Sequence, residues 1–595
     1  VFADQASFTY KNRSFNLLDT PGHIDFAGEM ERAVFALDCA VLVISGVEGI
    51  QSHTGTIWQL LKAKKIPTFI FVNKTDRPGA DPERVIRRVR EDWGVGAVDC
   101  THGFSQGDFS QSLQEELCEL SDELMEEFLE KGYDKQRWIE AAKQLVQKQL
   151  MVPVFHGSAL AGVGIKELMD GIFYFTQDAN IVDASLPLAA RVYKVSHDKQ
   201  KNRVTYLKIT AGTLRTKDVL PINGGTEKVN EIRRYSGEKS TSIACAYTGD
   251  IVGVTGLASL MPGDVVGDEE PLVASLVPLM KADVDIGSLP PQIALEYLRE
   301  IESEEPLLGV YFNEELKTIS VNIAGKIQLE VLEKLFLQRF SAVISFSDCK
   351  ILYKETLKAP SYGCGHFEPL RHYGEVHLLL TPTQRGSGIT FNSDLSLDVL
   401  GQNWQNLVKT HVFEKQHLGV LTASPLTDVR ITLKNGRAHI KHTDGGDFRQ
   451  STYRAIRHAL MCGQSELLEP MYRFTMTADM SYTGRVLSDI ERLKGTFEPM
   501  EVHGTQMTVT GRAPVATMMG YISEFTALTK GEGKLFFEFG GYEKCHNPSE
   551  VIEDIGYDAQ ADKQNTADSV FCAKGAGYNV PWAQAKAAMQ LEILD

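Results

Sequence analysis

Three short polar segments carry the residues of this chain that could bind a phosphate or a purine, and each directly follows an apolar run. The first, Asp19-Thr20-Pro21-Gly22-His23, comes after the apolar run 15–18 and before a helical pattern. A carboxylate and a Pro-Gly turn at a strand end suit a phosphate and its Mg²⁺. An ordinary turn has the same composition, so this segment alone leaves both interpretations open.

The second and third segments add a chemistry that distinguishes purines. Asn73-Lys74-Thr75-Asp76 follows the apolar run 67–72, and Ser158-Ala159-Leu160 follows the run 152–155. A carboxylate fixed at a strand end can accept hydrogen bonds from N1–H and the 2-amino group of guanine, which adenine does not offer. A backbone N–H of the third segment could donate to the guanine oxygen. Three such segments in this order are hard to obtain by chance, and they predict a guanine-nucleotide site.

The elements that must position these segments alternate between strands and helices. The apolar runs 15–18, 39–44, 67–72 and 152–155 are typical of buried parallel strands, with amphipathic helices between them. The alternation predicts a doubly wound sheet in residues 1–183, which binds its ligand at the carboxyl ends of the strands. An insertion at about 95–150 carries one apolar helical stripe, consisting of Leu113, Leu117, Leu120, Leu124 and Phe128.

Length and composition limit the class of protein. A chain of 595 residues is too long for one core, and 43% apolar with 23% charged residues is the composition of a soluble globular protein. We see no signal peptide and no apolar run near the ~20 residues of a membrane span. Nine scattered cysteines without a CxxC pair favour a reducing compartment and disfavour a zinc site. We therefore expect a cytoplasmic protein that does not bind membranes.

The later parts of the chain predict four further regions. Short strands punctuated by glycine in residues 184–280 predict a closed antiparallel barrel. Interleaved strands and helices predict a split βαβ domain in 285–352 and a ferredoxin-like βαββαβ domain in 467–545. Between them lies a domain at 353–466, and the extension 546–595 is expected to pack on a neighbouring domain. The predicted fold class is multidomain, α/β and α+β.

One basic segment stands out in a chain whose net charge is −17. Residues 428–458 hold seven Lys/Arg against three Asp, the basic residues being Arg430, Lys434, Arg437, Lys441, Arg449, Arg454 and Arg457. A net negative charge disfavours a nucleic-acid partner, but local patches decide such contacts. The segment predicts either a domain tip that touches rRNA phosphates or an ordinary helix with solvated arginines.

The three polar segments resemble the DTPGH, NKxD and SAL motifs of the translational GTPases. Further along, Gly325–Glu330, Tyr353–Thr356 and Leu468–Pro470 are similar to segments of elongation factor G. Gly325–Glu330 and the stretch from Gly386 to Asn406 are especially similar to tetracycline ribosomal-protection proteins. The resemblance implies a P-loop-type GTPase domain with GTP and Mg²⁺ as cofactors. It implies that His23 positions the attacking water and that Asp19 acts on Mg²⁺ through water. The implied GTP-binding residues are Asp19, Thr20, Pro21, Gly22, Asn73, Lys74, Asp76, Ser158, Ala159 and Leu160.

The resemblance also implies a function and its partners. A monomeric factor would bind GTP or GDP and the ribosome, through rRNA and the proteins of the factor site, and would release tetracycline. The implied rRNA contacts are Arg437, Lys441, His442, Arg449, Arg454 and Arg457. Two alternatives remain: a translocation factor paralogous to elongation factor G, and a ribosome-binding protein that does not hydrolyse GTP.

The phosphate loop of this family is missing from the sequence. No GxxxxGK(S/T) occurs, and only eighteen residues precede Asp19. We therefore expect a GTPase domain that is N-terminally truncated, whose sheet lacks a strand and leaves backbone groups unpaired. Such a chain is expected to hydrolyse GTP little or not at all.

Overall fold

The computed structural model describes residues 4–22, 27–177, 186–198, 200–222, 225–237, 239–272, 277–313 and 317–593. The chain divides into two compact units, Val1–Lys350 and Ile351–Asp595. All nine cysteines lie in the described ranges, and they form no disulfide. None of the helices in these ranges has the length and apolar character needed to cross a membrane.

The first unit opens with a hairpin and a parallel sheet. The sheet has the strand order β3-β4-β8-β5, and every pair in it is parallel. The elements up to residue 177 are β1 (Asp4–Tyr10), β2 (Arg13–Asp19), α1 (Ala27–Val34), β3 (Ala40–Ser45), α2 (Ser52–Ala63), β4 (Thr68–Asn73), α3 (Pro82–Trp93), β5 (Gly96–Asp99), β6 (Phe104–Ser105), β7 (Asp108–Phe109), α4 (Gln111–Cys118), α5 (Asp122–Lys131), α6 (Lys135–Gln147), β8 (Met151–His156) and α7 (Ile165–Phe175).

Local chemistry explains the sheet and its helices. Residues 68–72 of β4 and 151–155 of β8 are buried throughout, as expected of strands covered on both faces. The helix α3 begins at Asp81, whose carboxylate accepts from the N–H of Arg84 at 2.9 Å, with Pro82 in the first turn. Between α2 and α3, Trp58 stacks on Trp93 with ring centroids 4.9 Å apart. The predicted parallel sheet is confirmed for the runs 39–44, 67–72 and 152–155.

The hairpin β1–β2 differs from the prediction for residues 15–18. β2 pairs antiparallel with β1 in a two-stranded sheet of its own, and its Leu17 is 54% exposed. Lys11 and Asn12 both have positive φ, 46° and 64°, which is the geometry of a two-residue hairpin turn. The prediction of a buried parallel strand there was therefore wrong.

The strand β3 forms one edge of the parallel sheet. Within the described residues no strand pairs with its outer side, and Val41 and Val43 are 38% and 58% exposed. An edge strand with exposed valines presents unpaired backbone groups and an apolar surface.

The insertion at about 95–150 contains more than the predicted single stripe. Ser121 caps a second helix, so the stripe is divided between α4 and α5, which bury Leu113, Leu117 and Leu124. Residues 96–99 also form β5, which joins the parallel sheet beside β8.

The rest of the first unit is β-rich. A six-stranded antiparallel sheet with the order β15-β14-β17-β10-β9-β18 is accompanied by the pairs β11–β16 and β12–β13, and a further antiparallel sheet has the order β20-β21-β19-β22. The elements are β9 (Ala189–His197), β10 (Arg203–Ala211), β11 (Thr213–Arg215), β12 (Val219–Ile222), β13 (Gly225–Lys228), β14 (Glu231–Ser236), β15 (Lys239–Ile243), β16 (Cys245–Tyr247), β17 (Ile251–Thr255), β18 (Val265–Val266), β19 (Met280–Asp285), α8 (Pro291–Glu304), β20 (Tyr311–Asn313), β21 (Thr318–Ile323), α9 (Lys326–Phe340) and β22 (Ser345–Phe346), with β23 (Lys350–Ile351) at the boundary of the units.

The second unit contains two six-stranded sheets. One has the order β27-β28-β26-β25-β34-β35, and the other has the order β24-β29-β32-β30, with β33 pairing with β29 and β31 with β32. The elements are β24 (Lys354–Leu357), β25 (Ser361–Phe367), β26 (Gly374–Pro382), β27 (Ile389–Ser393), α10 (Gln402–Phe413), β28 (Val429–Ala438), α11 (Gly445–Cys462), β29 (Ser465–Asp479), α12 (Thr483–Arg492), β30 (Thr496–Phe497), β31 (Glu501–His503), β32 (Gln506–Pro514), α13 (Val515–Met518), α14 (Tyr521–Leu528), β33 (Lys534–Lys544), α15 (Pro548–Ile555), β34 (Ser569–Ala573), β35 (Ala576–Val580) and α16 (Trp582–Ala588).

The C-terminal extension continues the first of these sheets. β34 pairs with β25 in parallel at Phe367 and Val570, and β35 completes a hairpin with β34. The helix α11 lies directly against β25, since a Cβ at Gly365 would lie 2.0 Å from the carbonyl oxygen of Ser451. Glycine is required at this close approach.

Candidate functional site

The second and third polar segments meet at the carboxyl edge of the parallel sheet. Asn73 is the last residue of β4, and its Oδ1 accepts from the N–H of Lys74 at 2.8 Å and of Ala159 at 2.9 Å. The N–H of Thr75 donates to the carbonyl of Gly157 at 3.1 Å. The two loops are therefore joined by hydrogen bonds formed by the protein itself.

Asp76 has the electrostatic character that guanine recognition needs. A hydrogen bond from the hydroxyl of buried Ser158 lowers the pKa of the Asp76 carboxyl below its usual range. The carboxylate is exposed, so it can accept hydrogen bonds from a ligand while it stays ionised at neutral pH.

The third segment is a closed loop. Ser158 and Val163 exchange backbone hydrogen bonds of 3.1 and 3.0 Å, and a Cβ at Gly157 would lie 2.0 Å from the carbonyl oxygen of Val163. The side chain of Leu160 is 96% exposed, and no acceptor among the described residues receives its N–H. The sequence analysis missed the role of Gly157, although a glycine directly before Ser158 was a readable sign of a tight backbone approach.

Lys74 borders the same edge from a left-handed backbone conformation, with φ of 64°. Its Nζ lies 3.8 Å from a carboxylate oxygen of Glu48, in the loop after β3. That loop is tied to β4, because the N–H of Gly46 donates to the carbonyl of Asn73 at 2.8 Å. Glu48 was not identified from the sequence, where an isolated acid in a loop gives no signal.

The first polar segment stands in a different sheet. Asp19 is the exposed last residue of β2, and Thr20, Pro21 and Gly22 follow it without regular structure. Within the described residues β2 pairs only with β1, so strand pairing does not tie Asp19 to Asn73. His23 lies outside the described residues. The structure thus brings together Asn73, Lys74, Asp76, Ser158 and Ala159.

The basic segment of the second unit divides into an exposed and an enclosed part. The end of β28 and the loop that follows it, residues 437–442, are here called the basic tip. Arg437 on the strand and Ile440, Lys441 and His442 in the loop are exposed, with Ile440 at 101%. The ring of His442 stacks on His439 with centroids 4.6 Å apart. The side chains of Arg437, Lys441 and His442 are therefore accessible to a partner, and their contact with rRNA stays a prediction.

The three remaining arginines predicted to contact RNA lie along α11. Arg449 is exposed, and its Nε donates to a carboxylate oxygen of Glu414 at 2.8 Å. Arg454 is half-buried, 5.1 Å above the ring of Phe367. Arg457 is buried and donates to the carbonyls of Leu418 and Gly419. The environment of Arg457 is that of a residue that holds its own domain together.

Models of four protein families match the chain in sequence. They are the elongation factor Tu GTP binding domain at residues 1–178, elongation factor G domain 2 at 187–269, elongation factor G domain IV at 349–464, and the elongation factor G C-terminus at 466–551. The four matched segments follow one another along the chain without overlap, from residue 1 to residue 551.

Individual relatives match over most of their length. Tetracycline resistance protein TetP of Clostridium perfringens is 30% identical over 565 residues, which cover 91% of this chain and 86% of that protein. Elongation factor G 2 of Geobacter metallireducens is 28% identical over 621 residues, covering 91% and 89%. TetM of Staphylococcus aureus is 27% identical over 558 residues, covering 90% and 86%.

A solved structure from Thermus thermophilus shares the fold, with a TM-score of 0.59 at 23% identity over 93% of this chain and 91% of that chain. The family models and the relatives agree on the family. This chain belongs to the elongation factor G superfamily of translational GTPases, in company with the tetracycline resistance ribosomal-protection proteins.

Proposed function

We propose that this chain is a ribosome-binding translation factor that recognises guanine nucleotides and releases tetracycline from the ribosome. The observation that carries the proposal is the pair of loops at the ends of β4 and β8. Asn73 Oδ1 joins them, and Asp76 presents an ionised carboxylate to solvent beside them. Tetracycline is proposed as the antibiotic because several relatives are named tetracycline resistance proteins. The basic tip is proposed as the surface that contacts rRNA.

The recognition step follows from the residues of these two loops. The Asp76 carboxylate would accept from N1–H and the 2-amino group of guanine, and the N–H of Leu160 is available to donate to the guanine oxygen. Adenine has no donor at N1 and no 2-amino group, so it would leave Asp76 unpaired. Rejection of an analogue that leaves polar groups unpaired is stronger than rejection by shape.

Base recognition can be tested by exchanging donors and acceptors. Asp76→Asn replaces one acceptor with a donor, which fits xanthine, whose carbonyl stands where guanine has its amino group. Equilibrium dialysis should show weaker binding of guanosine nucleotides and tighter binding of xanthosine nucleotides. Glu48→Gln is the control, since it removes a nearby carboxylate that pairs only with Lys74 in the described residues. An unchanged guanine-to-xanthine ratio in Asp76→Asn would disprove this assignment.

The phosphates and Mg²⁺ fit the residues present only in part. Asp19 is an exposed carboxylate that suits Mg²⁺ through water, and Thr20, Pro21 and Gly22 follow it. The sequence has no GxxxxGK(S/T), whose backbone and lysine cradle the β- and γ-phosphates in this type of site. We therefore propose that this 595-residue chain holds guanine but hydrolyses GTP negligibly, and we assign no hydrolytic step to it.

Two measurements test this part of the proposal. Guanosine and GTP should bind this chain with affinities within about tenfold of each other, because the phosphates add few contacts. Phosphate release in the presence of ribosomes should stay at background, with elongation factor G as the active control. Ribosome-stimulated release well above background would show that the chain grips phosphates by other residues.

A translocation factor is the alternative favoured by the similarity to elongation factor G 2. Expression of this chain in a tetracycline-sensitive host separates the two functions. A gain of resistance supports ribosomal protection. No gain, together with rescue of a translocation-defective strain, supports the alternative.

A further inference from the structure

A cationic cavity of about 210 Å³ lies between α11 and the C-terminal extension in the second unit. Lys415, Arg454, Arg457 and Lys563 line it, and none of its lining residues is acidic. A water molecule occupies about 30 Å³ in the liquid, so the cavity has room for an ion much larger than one water.

The three innermost cations have neutral partners. Among the described residues no carboxylate lies within 4 Å of the charged nitrogens of Lys415, Arg454 or Arg457. Lys415 Nζ donates to Asn565 Oδ1 at 3.2 Å and lies 4.1 Å from the centroid of the Tyr453 ring.

The two guanidinium groups likewise bond to uncharged acceptors. Arg454 donates to the carbonyl and the side-chain amide oxygen of Gln450. Arg457 donates to two backbone carbonyls of the 418–419 loop and to the hydroxyl of Tyr557 at 2.6 Å. Three cations therefore share one partly enclosed space without a paired anion.

The arginines also keep unused donors. The Nε atoms of Arg454 and Arg457 are buried, and within the described part of the chain neither has an acceptor. Arg457 is only 4% exposed. A buried cation whose donors are unsatisfied is costly, and an anion in the cavity would offset that cost.

The nearest carboxylates are engaged elsewhere. Asp562 accepts from the hydroxyl of Tyr557 at 2.6 Å, and Glu414 accepts from Arg449 at 2.8 Å. Asp568 accepts from the N–H of Trp582 at 2.8 Å. These acids reduce the positive electrostatic potential of the cavity, but none of them lines it.

We propose that this cavity binds a phosphate group, either as a free anion or as part of an RNA backbone. Guanidinium groups present several N–H donors in a planar fork that matches phosphate oxygens, and a lysine adds a mobile point charge. The cavity belongs to the second unit, whereas the loops after β4 and β8 belong to the first. The inference therefore does not depend on the proposed function.

The test uses the full 595-residue chain and two probes. Inorganic phosphate is titrated at constant ionic strength and followed by ³¹P line width, and a short single-stranded RNA is titrated by fluorescence anisotropy. Arg454→Gln and Lys415→Gln each remove one cation of the cavity, and circular dichroism identifies any variant that fails to fold. Lys409→Gln is the control, because Lys409 is an exposed lysine on α10 of the same domain.

Losses of about tenfold in phosphate affinity in both cavity variants, with Lys409→Gln unchanged, support a free-anion site. The same losses confined to RNA support a backbone phosphate as the occupant. The proposal is overturned if neither probe binds the wild-type chain, or if the cavity variants bind both probes as tightly as Lys409→Gln does.

Discussion

The substitution Glu375→Gln should release the end of the C-terminal extension. The carboxylate of Glu375 is fully buried on β26. Its Oε2 pairs with Nδ1 of His366 at 2.7 Å and accepts from the N–H of Gln590 at 3.2 Å. Its Oε1 pairs with Nε2 of His377 at 2.9 Å and accepts from the N–H of Leu591 at 2.9 Å. One carboxylate thus connects β26 with residues more than two hundred positions later in the chain.

The magnitude follows from the pKa of this carboxyl. Burial alone would raise the pKa of Glu375, but the hydrogen bonds from His366, His377 and the N–H of Leu591 outweigh burial and lower the pKa to about 2. A glutamate in the unfolded chain titrates near about 4.3, so the ionised form stabilises the fold by about 3 kcal/mol. Because the folded pKa is the lower one, this stabilisation is present above about pH 4.3 and is lost as the pH falls towards about 2.

Hydrogen exchange measures this effect locally. At pH 7, the amides of Gln590 and Leu591 should lose about two orders of magnitude of protection in Glu375→Gln, which corresponds to about 3 kcal/mol. Urea unfolding should show a difference in stability between wild type and variant that shrinks as the pH falls from about 5 to about 2. Asp398→Asn, which removes an exposed carboxylate from the same domain, should leave both readouts unchanged. Unchanged protection of Gln590 and Leu591 in Glu375→Gln would refute the reasoning.

Two further substitutions test other contacts. Gly365→Ala should lower the stability of the second unit by about 2–3 kcal/mol, because the new Cβ would lie 2.0 Å from the carbonyl oxygen of Ser451 in α11. Denaturant unfolding measures this loss, and Gly446→Ala, where nothing lies within 4 Å, should show none of it. Asn73→Ala should weaken guanosine binding by about tenfold, since it removes the acceptor that joins the loops after β4 and β8. Equilibrium dialysis checks this, and binding equal to that of the wild type would show that the loops keep their geometry without Asn73.

Local patterns predicted much of the first unit. Asp81-Pro82 marked the start of α3, and the apolar runs before Asn73 and Ser158 marked two neighbouring parallel strands. A helix start and a buried parallel strand can each be recognised from a few adjacent residues, because helix capping and strand burial determine their residue types. The same reasoning failed for residues 15–18, where apolar content could not distinguish a buried strand from one arm of a hairpin. The turn at Lys11 and Asn12 decided that question.

Contacts between distant residues could not be predicted. The pairing of β25 with β34 joins residues about two hundred positions apart, and no local pattern records such a partner. The environment of Arg457 could not be predicted for the same reason, since its partners are distant in sequence. Its position among Lys and Arg residues favoured a solvated or RNA-facing side chain, yet the 418–419 loop and Tyr557 enclose it. Whether an arginine faces solvent depends on segments that lie elsewhere in the sequence.

In the function we propose, the loops after β4 and β8 recognise the base without help from a phosphate site. Asn73 Oδ1 is satisfied by two backbone N–H groups, and Ser158 already donates to Asp76, so these loops are ordered by contacts within the protein. Preorganised donors and acceptors need little reorganisation when a ligand arrives. We therefore expect base recognition to persist in a chain whose sequence has no GxxxxGK(S/T). Guanine affinity and GTP hydrolysis should accordingly be treated as independent properties of this chain.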